Sequence, residues 1–310
     1  MELRHLRYFV AVSDADGVSR AALALNISQP ALSRQIRDLE AELGVSLFER
    51  RTGRLVLTGE GEELLARSRE LLSDAESLRE RARALRGGDE GIIRVGIAPL
   101  TLESLMPTFL AQHQQRHPKI DVRLAEADPG RLWAQLERGE LNLAISFPGH
   151  EGLGSRLLFP VWALSVMPAD HRLARRTIMN VDELAGERLL LPSRRYLTRQ
   201  WFDIACRKSR LRPIVALEST APHALIALAR VGYGIAIVPS HTPFDRRGLR
   251  VNRLTQHGTM LGAWAAIAWN PDRFQPPFVE RFIDELARYA RQAYPGREFA
   301  GRKALKLIST

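Results

Sequence analysis

The chain has 310 residues, 45% of them hydrophobic, with one cysteine and a formal net charge of +10. That length suggests two or three domains with proper cores, the lone Cys206 excludes an internal disulfide, and no apolar run approaches a membrane span. The charge is uneven: residues 1–91 carry 14 Lys or Arg against 16 Asp or Glu, residues 92–290 carry 26 against 18, and the last twenty carry 5 against 1. Bulk charge therefore does not support nucleic-acid binding by the N-terminal part, and such a role has to rest on where individual arginines stand.

Leu3, Leu6, Phe9 and Val10 have helical spacing, predicting an amphipathic helix over residues 3–14 that ends at Asp14, Asp16 and Gly17. A short helix follows from Val18 to Leu25, with Asn26 as a left-handed C-terminal residue. Ser28 is a good N-cap and Pro30 falls in the first turn, so a third helix begins at Gln29. Leu32, Ile36, Leu39 and Leu43 line its core face, while Pro30, Ser33, Arg34 and Arg37 wind onto the opposite side. Two arginines beside a small hydroxyl suit a major groove, where a guanidinium forks onto guanine or grips a phosphate. Taken alone, the helix reads equally well as a solvated amphipathic one. The order helix, short helix, turn, helix is that of a helix-turn-helix, which favours DNA and adds Ser28 and Gln29 to the contact set.

LFERRTGRLVLT predicts a hairpin turning at Thr52-Gly53, with Arg50, Arg51 and Arg54 at its tip. Beside a helix-turn-helix this is a wing whose arginines hold phosphates or enter the minor groove; the competing reading is an arginine-rich solvated loop. Thr58 can cap a long helix from Gly59 to Leu85, with Glu60, Glu62 and Glu63 at its positive end. Leu64, Leu71, Leu78 and Leu85 repeat at seven, with Ser68, Ala75 and Ala82 interleaved. So narrow an apolar stripe predicts a dimerisation helix over one packed on its own domain. Gly87-Gly88 and Gly91 mark the boundary.

These residues carry a resemblance. Residues 3–86 resemble the N-terminal part of the LysR-type transcriptional regulators, in LRYFVAV, SRAALAL, SQPALSRQIRDLEAELGVSLFER and LTGEGEELL. Val18 stands where phenylalanine is usual, and Gly17 where an acid or serine is usual. The resemblance implies double-stranded operator DNA as a partner, a homodimer or homotetramer, RNA polymerase as a further partner, a cytoplasmic, nucleoid-associated location and no membrane.

From Ile92 strands and helices alternate: IIRVGIA, a helix from Pro99 towards Gln114, KIDVRLAEA, RLWAQLERG and LNLAISF, predicting a parallel sheet covered on both faces. The pattern recurs from Trp162 through ALSVMP, a helix near Val181, ERLLLP, a helix over Thr198–Lys208, IVALES, HALIALARVG and YGIAIVP. WAAIAW and the helix FVERFIDELARYARQA complete it. Two such units with a late return to the first imply two lobes joined by crossing strands, with a cleft between them. LERGELNLAIS, VMPADHRLA and ARVGYGIAIVPS are similar to landmarks of the family's effector-binding domain, whose fold is that of a periplasmic binding protein. Asn142 replaces a common aspartate at what reads as the close of a strand. The expected fold is thus multidomain: an all-α winged helix-turn-helix over 1–58, a linker and dimerisation helix over 59–88, then an α/β two-lobed domain. Lobe I takes residues 91–163 and 265–292, lobe II residues 164–264, and a basic tail over 293–310, without family counterpart, is expected to be disordered.

Ligands in open α/β sheets sit beyond the C-terminal ends of strands. That rule selects Pro99, Leu100 and Thr101; Ser146 and Phe147; Ser193, Arg194 and Arg195; and Ser219 and Thr220, where family members place effector contacts. From Arg188 to Arg212 there are eight basic residues against Asp203 alone. Arg194 and Arg195 point to a small anionic effector, a carboxylate or phosphate, against a general arginine bias in a chain with four lysines among 45 basic residues. His113 and His117 are four apart on a helix, but no glutamate follows as in the zinc-protease motif and Pro118 ends the helix, so solvated histidines are expected rather than a metal site. Gly232 and Gly234 follow a helix rather than a strand and read as a turn. Cys206 lies among basic residues, as a thiol of lowered pKa or as a buried structural one. No catalytic residue, metal or cofactor is expected, and no enzyme. A solute-binding or substrate-converting α/β protein is the second class considered, and it leaves residues 1–86 without a purpose.

Overall fold

Phe9, Leu32, Leu39 and Leu47 are fully buried at the centre of the N-terminal unit, wrapped by α1 (Leu3–Asp14), α2 (Val18–Ala24) and α3 (Gln29–Leu43). The computed structural model describes residues 1–15, 17–51, 54–85, 90–148 and 150–299. Asn26 takes the left-handed conformation between α2 and α3 at φ 53, and Gly44 ends α3 at φ 73. β1 (Phe48–Arg51) and β2 (Arg54–Leu57) pair antiparallel as the wing, with Arg51 opposite Arg54; the expected turn at Thr52-Gly53 lies outside the described residues. Glu40 Oε1 accepts from the N–H groups of Leu47 at 2.8 Å and Phe48 at 3.2 Å, fixing the wing against α3.

Thr58 caps α4 (Gly59–Leu85): its Oγ1 accepts from the Gly61 N–H at 2.9 Å and donates to the Ser46 carbonyl at 2.6 Å. The heptad stripe divides. Leu64 is half-buried and Ser68 buried against the same chain, beside the buried Leu65, whereas Leu71 and Leu78 stand 48% and 70% exposed. Gly91 is no helix breaker; it opens β3 (Gly91–Ile97), where the Phe278 ring occupies the space a Cβ would need.

The α/β domain continues with α5 (Pro99–Arg116), β4 (Ile120–Glu126), α6 (Pro129–Glu137), β5 (Leu143–Ser146), β6 (Gly154–Pro168), β7 (Ile178–Asn180), β8 (Arg188–Pro192), α7 (Leu197–Lys208), β9 (Ile214–Ser219) and α8 (Pro222–Arg230). It ends with β10 (Ile235–Pro239), β11 (Leu249–Gln256), β12 (Thr259–Met260), β13 (Gly262–Trp269) and α9 (Pro277–Ala293). The strand order is β4-β3-β5-β13-β6-β10-β8-β9, with β11 on β6 and both β7 and β12 on β11. Pairing is parallel within β4-β3-β5 and β10-β8-β9. It is antiparallel at β13 and β6, the strands that cross between the two parallel units. In β6, Gly154–Trp162 pair with β13 of the first lobe, and Ala163–Pro168 pair with β10 and β11 of the second.

The sequence pattern does not reveal the first half of β6 or any of β11, in which Arg250, Asn252 and Arg253 obscure an apolar pattern although Asn252 and Leu254 are fully buried. The helix expected near Val181 is a single 3-10 turn, Val181–Leu184, capped by Asn180. Asn142 precedes β5 instead of closing it: its Oδ1 accepts from the Arg94 N–H at 2.8 Å and its own N–H donates to the Arg94 carbonyl at 2.9 Å. The tail does not fray at once. Phe299 is buried beside Trp162 and Leu164, and Arg253 Nη1 donates to its carbonyl at 3.0 Å, so the chain to Phe299 belongs to the folded body. Residues 300–310 lie outside the described residues. No described helix is long and apolar enough to cross a membrane.

Candidate nucleic-acid interface and inter-lobe cleft

α3 turns its polar face outward, with Ser28, Gln29, Pro30, Arg34 and Arg37 exposed and Ser33 half-buried. Ser28 Oγ accepts from the Ala31 N–H at 3.3 Å, the N-cap that starts the helix. The ridge separates two concavities. One, of about 770 Å³, joins Gln29 and Ser33 to Arg20 of α2 and to Arg50 and Arg54 of the wing. The other, of about 560 Å³, joins Ser28, Pro30 and Arg34 to Arg4 and Tyr8 of α1. Among the described residues, neither is lined by a carboxylate. Arg4 pairs with Glu2 at 3.1 Å, while Arg34, Arg50 and Arg54 give this face cationic groups despite the net acidity of the N-terminal unit. Arg37 and Arg51 fall outside both: Arg37 Nε donates to the Ser33 carbonyl at 3.3 Å, and Arg51 pairs with Glu49 at 2.7 Å. Sequence spacing does not select Arg4, Tyr8 and Arg20, because only the packing of α1 and α2 on α3 brings them to this face.

Among the described residues, contacts that join the lobes include three from α5 and the end of β5. Thr101 Oγ1 of α5 lies 3.5 Å from His241 Nε2, which follows β10. The Glu103 carboxylate of α5 meets His223 of α8 at 3.1 Å. The Phe147 ring, beyond β5, packs edge-on to Trp201 of α7 at 5.5 Å. The loops after β8 and β9 meet beside them: the Ser193 N–H donates to the Ser219 carbonyl and the Tyr196 hydroxyl to the Thr220 carbonyl, both at 2.8 Å. Leu100, Thr101 and Ser146 are buried, while Pro99 is exposed at the first turn of α5. Ser193 Oγ, Trp201 Nε1 and His241 Nδ1 are buried with no hydrogen-bond partner among the described residues. Burial lowers the His241 pKa to about 4, so this imidazole is neutral at neutral pH.

The basic run is not uniformly available to a ligand. Arg199 is buried and committed to Asp203 and Glu218 at 2.8 Å each and to the Pro192 carbonyl at 3.0 Å. The Arg188 guanidinium lies over the Tyr233 ring. Arg194 and Arg195 are exposed. The hydrogen bond from Arg199 holds the Glu218 carboxyl below the usual carboxylate range, and the Arg194 backbone and charge add to this.

α4 joins the two parts. Arg69 pairs with Asp14 of α1 and with Glu140 at 3.6 Å; Ser73 Oγ donates to the Gly139 carbonyl at 2.7 Å; Arg273 Nη1 reaches Ser73 Oγ at 3.0 Å and Asp74 at 2.9 Å; and Arg94 meets the buried Glu80 at 3.3 Å. This inner face leaves Leu71 and Leu78 pointing away from the chain.

Residues 3–62 match the family model for the bacterial regulatory helix-turn-helix protein, lysR family, and residues 86–291 match that for the LysR substrate binding domain. The chain belongs to the LysR family of bacterial transcriptional regulators. It is similar to the uncharacterised HTH-type transcriptional regulator YybE of Bacillus subtilis, at 29% identity covering 91% of this chain and 97% of that one. It is also similar to YnfL of Escherichia coli, at 32% identity covering 94% and 99%. A full-length OxyR variant from Pseudomonas aeruginosa superposes with a TM-score of 0.72 at 26% identity, covering 94% of this chain and 95% of that one. Full-length CbnR in complex with its target DNA does so with a TM-score of 0.66 at 25% identity, covering 93% and 100%.

This LysR-type regulator is thus a DNA-binding protein with a helix-turn-helix and an effector-binding domain. Gly232 turns at φ 76 between α8 and β10, and Gly234 lies against the Arg188 carbonyl, so the pair serves chain geometry. Burial pushes the Cys206 thiol up to about 12, with Asp203 adding to the rise, which favours the structural reading over a lowered pKa. His113 and His117 are not the solvated pair expected: His113 is buried, and both imidazoles meet Glu285 of α9. The zinc-protease motif places its carboxylate next in the chain, whereas this one arrives from a distant helix.

Proposed function

We propose that this regulator binds a small anionic effector, a carboxylate or phosphate, between its lobes, and acts on operator DNA as a dimer or tetramer built on α4. The observation that carries the cleft is the set of buried polar atoms without partners at the lobe interface: Ser193 Oγ, Trp201 Nε1 and His241 Nδ1. Unpartnered buried polar groups are costly, and a ligand offering acceptors and a donor there removes that cost. Arg194 and Arg195, exposed beside Ser193, supply the positive charge that selects an anion. Pro99, Leu100, Thr101, Ser146, Phe147, Ser219 and Thr220 complete the binding loops. On DNA, Ser28, Gln29, Pro30, Ser33 and Arg34 enter the major groove, Arg37 and Arg51 sit at the margin, and Arg50 and Arg54 of the wing grip the backbone. Effector binding draws the lobes together about β6 and shifts lobe I under α4, changing the spacing of two DNA-binding units across the dimer.

A thermal-shift screen of carboxylates and phosphates tests the reading. At least one anion raises the melting temperature of the native chain and alters its gel shift, and Arg194→Ala with Arg195→Ala abolishes both effects. An unchanged response of that double variant to every inducer sinks the anion reading.

A further inference from the structure

The C-terminal end of α5 and the middle of α9 bring together three metal-ligating side chains that the regulator's DNA and effector sites do not use. His113 and His117 stack four residues apart with ring centroids 4.7 Å from each other, and Glu285 approaches both from α9. Glu285 Oε2 lies 3.1 Å from His113 Nδ1, and its Oε1 lies 2.9 Å from His117 Nε2. One ligating atom from each residue falls within 4.8 Å of the other two. Zinc held tetrahedrally at about 2.0–2.2 Å from nitrogen and oxygen separates its ligand atoms by roughly 3.3–3.5 Å. The two short contacts use different oxygens of Glu285, so a single ligating oxygen needs one His–Glu edge to open by only a few tenths of an ångström, and each remaining edge to close by at most about 1.5 Å through rotation of the carboxylate and rings.

The surroundings suit a metal. His113 is fixed by aromatic rings, with Phe109 stacked at 5.8 Å and Phe282 edge-on at 5.0 Å. Its Nε2 is buried without a hydrogen-bond partner among the described residues. When Nδ1–H serves Glu285, Nε2 is left as a bare lone pair among those rings; a metal on Nδ1 moves the proton to Nε2, a polarity that aromatic faces accept. His117 and Glu285 are partly exposed, giving a path for the ion and room for water as a fourth ligand. Arg116 Nη1 sits 3.2 Å from Glu285 Oε2, but Arg116 is half-exposed and free to swing into solvent when a dication replaces it.

We infer that His113, His117 and Glu285 form a zinc-type site with two imidazoles and one carboxylate, clamping α5 to α9 within the first lobe, about an α5 length away from the cleft contact of Thr101. The competing arrangement is a metal-free clasp in which Glu285 only accepts hydrogen bonds from the two rings.

The full chain, stripped with chelator and dialysed, is titrated calorimetrically with Zn²⁺, and Co²⁺ is added separately to read the visible absorption of a tetrahedral site. The site requires one Zn²⁺ per chain, a zinc-dependent rise in melting temperature and a Co²⁺ spectrum. Glu285→Gln and the partly exposed His117→Ala each weaken binding by more than about tenfold and remove the spectrum. His117→Ala keeps the test open if Glu285→Gln fails to fold. Zinc binding that is absent, or equal in native chain and His117→Ala, overturns the inference in favour of the clasp.

Discussion

Ser73 of α4 donates to the carbonyl of Gly139 at 2.7 Å, at a point where the chain leaves room for no side chain. Gly139 has φ +73, and both the Ser73 hydroxyl and the Arg273 guanidinium occupy the space a Cβ would take. Gly139→Ala therefore adds a left-handed backbone penalty of about 1–2 kcal/mol to displacement of both partners. Ser73→Ala loses two hydrogen bonds, the one it donates to the Gly139 carbonyl and the one it accepts from Arg273, about 1–2 kcal/mol together, without the backbone penalty. Melting curves should rank Gly139→Ala below Ser73→Ala and both below the native chain; a Gly139→Ala chain as stable as native contradicts the packing described.

The two concavities beside α3 separate base reading from backbone grip. Arg34→Ala is expected to cost about 1–3 kcal/mol on the preferred operator and little on unrelated DNA. Arg54→Ala should weaken both and lower the salt slope by about one. Gel shifts over the chain's own upstream region at several salt concentrations measure the two effects, and equal losses on both DNAs for Arg34→Ala would remove it from the reading face.

Leu71 and Leu78 project from the outer face of α4, and covering each leucine is worth about 1.5–3 kcal/mol. Leu78→Glu should shift the chain towards monomer in sedimentation while leaving its circular dichroism native. Leu65→Glu, at the buried face, should unfold the N-terminal unit instead. A Leu78→Glu chain that sediments as native removes this face of α4 from the proposed dimer contact.

His241 has a pKa of about 4 in the folded chain because burial disfavours its cation, against about 6.5 when unfolded. The unfolded chain thus binds the extra proton first. Stability falls as pH drops from about 6.5 towards about 4 and levels below that, by an amount on the order of 3 kcal/mol. Urea midpoints at several pH values, compared between native chain and His241→Gln, isolate this contribution; parallel curves would show that His241 is not held neutral.

Cys206 has its thiol pushed up to about 12, chiefly by burial, leaving on the order of one thiolate in ten thousand at pH 8. A chromogenic disulfide reagent should label none of it in the native chain and one thiol per chain in denaturant. Prompt stoichiometric labelling of the native chain would contradict the burial.

What can be read in advance depends on whether its cause is local. The N-cap at Ser28, the proline at the first turn of α3, the Leu32, Ile36 and Leu39 face and the left-handed Asn26 are written within a few residues, and all appear in the fold. The cationic concavities are only half visible, since Arg4 and Tyr8 reach Arg34 through helix packing. His241 carries a usable signal: it follows β10, which runs parallel to β8, so the strand-end rule that selects Ser193 selects it too. Glu285 carries no such signal, because its meeting with His113 depends on how α9 crosses α5. A count along the basic run includes Arg199, but Asp203 and Glu218 already neutralise it.

The partition of β6 between two neighbours has a mechanical consequence. Gly154–Trp162 and Ala163–Pro168 belong to one continuous strand, so turning one lobe against the other twists a ribbon whose backbone bonds stay made on both sides. Such a joint is a flexure, with restoring torque spread along several residues, rather than a swivel at a single loose loop. A shared strand of this kind resists free swivelling, and under the proposed mechanism it is the element that would carry the effect of a bound effector from one lobe to the other.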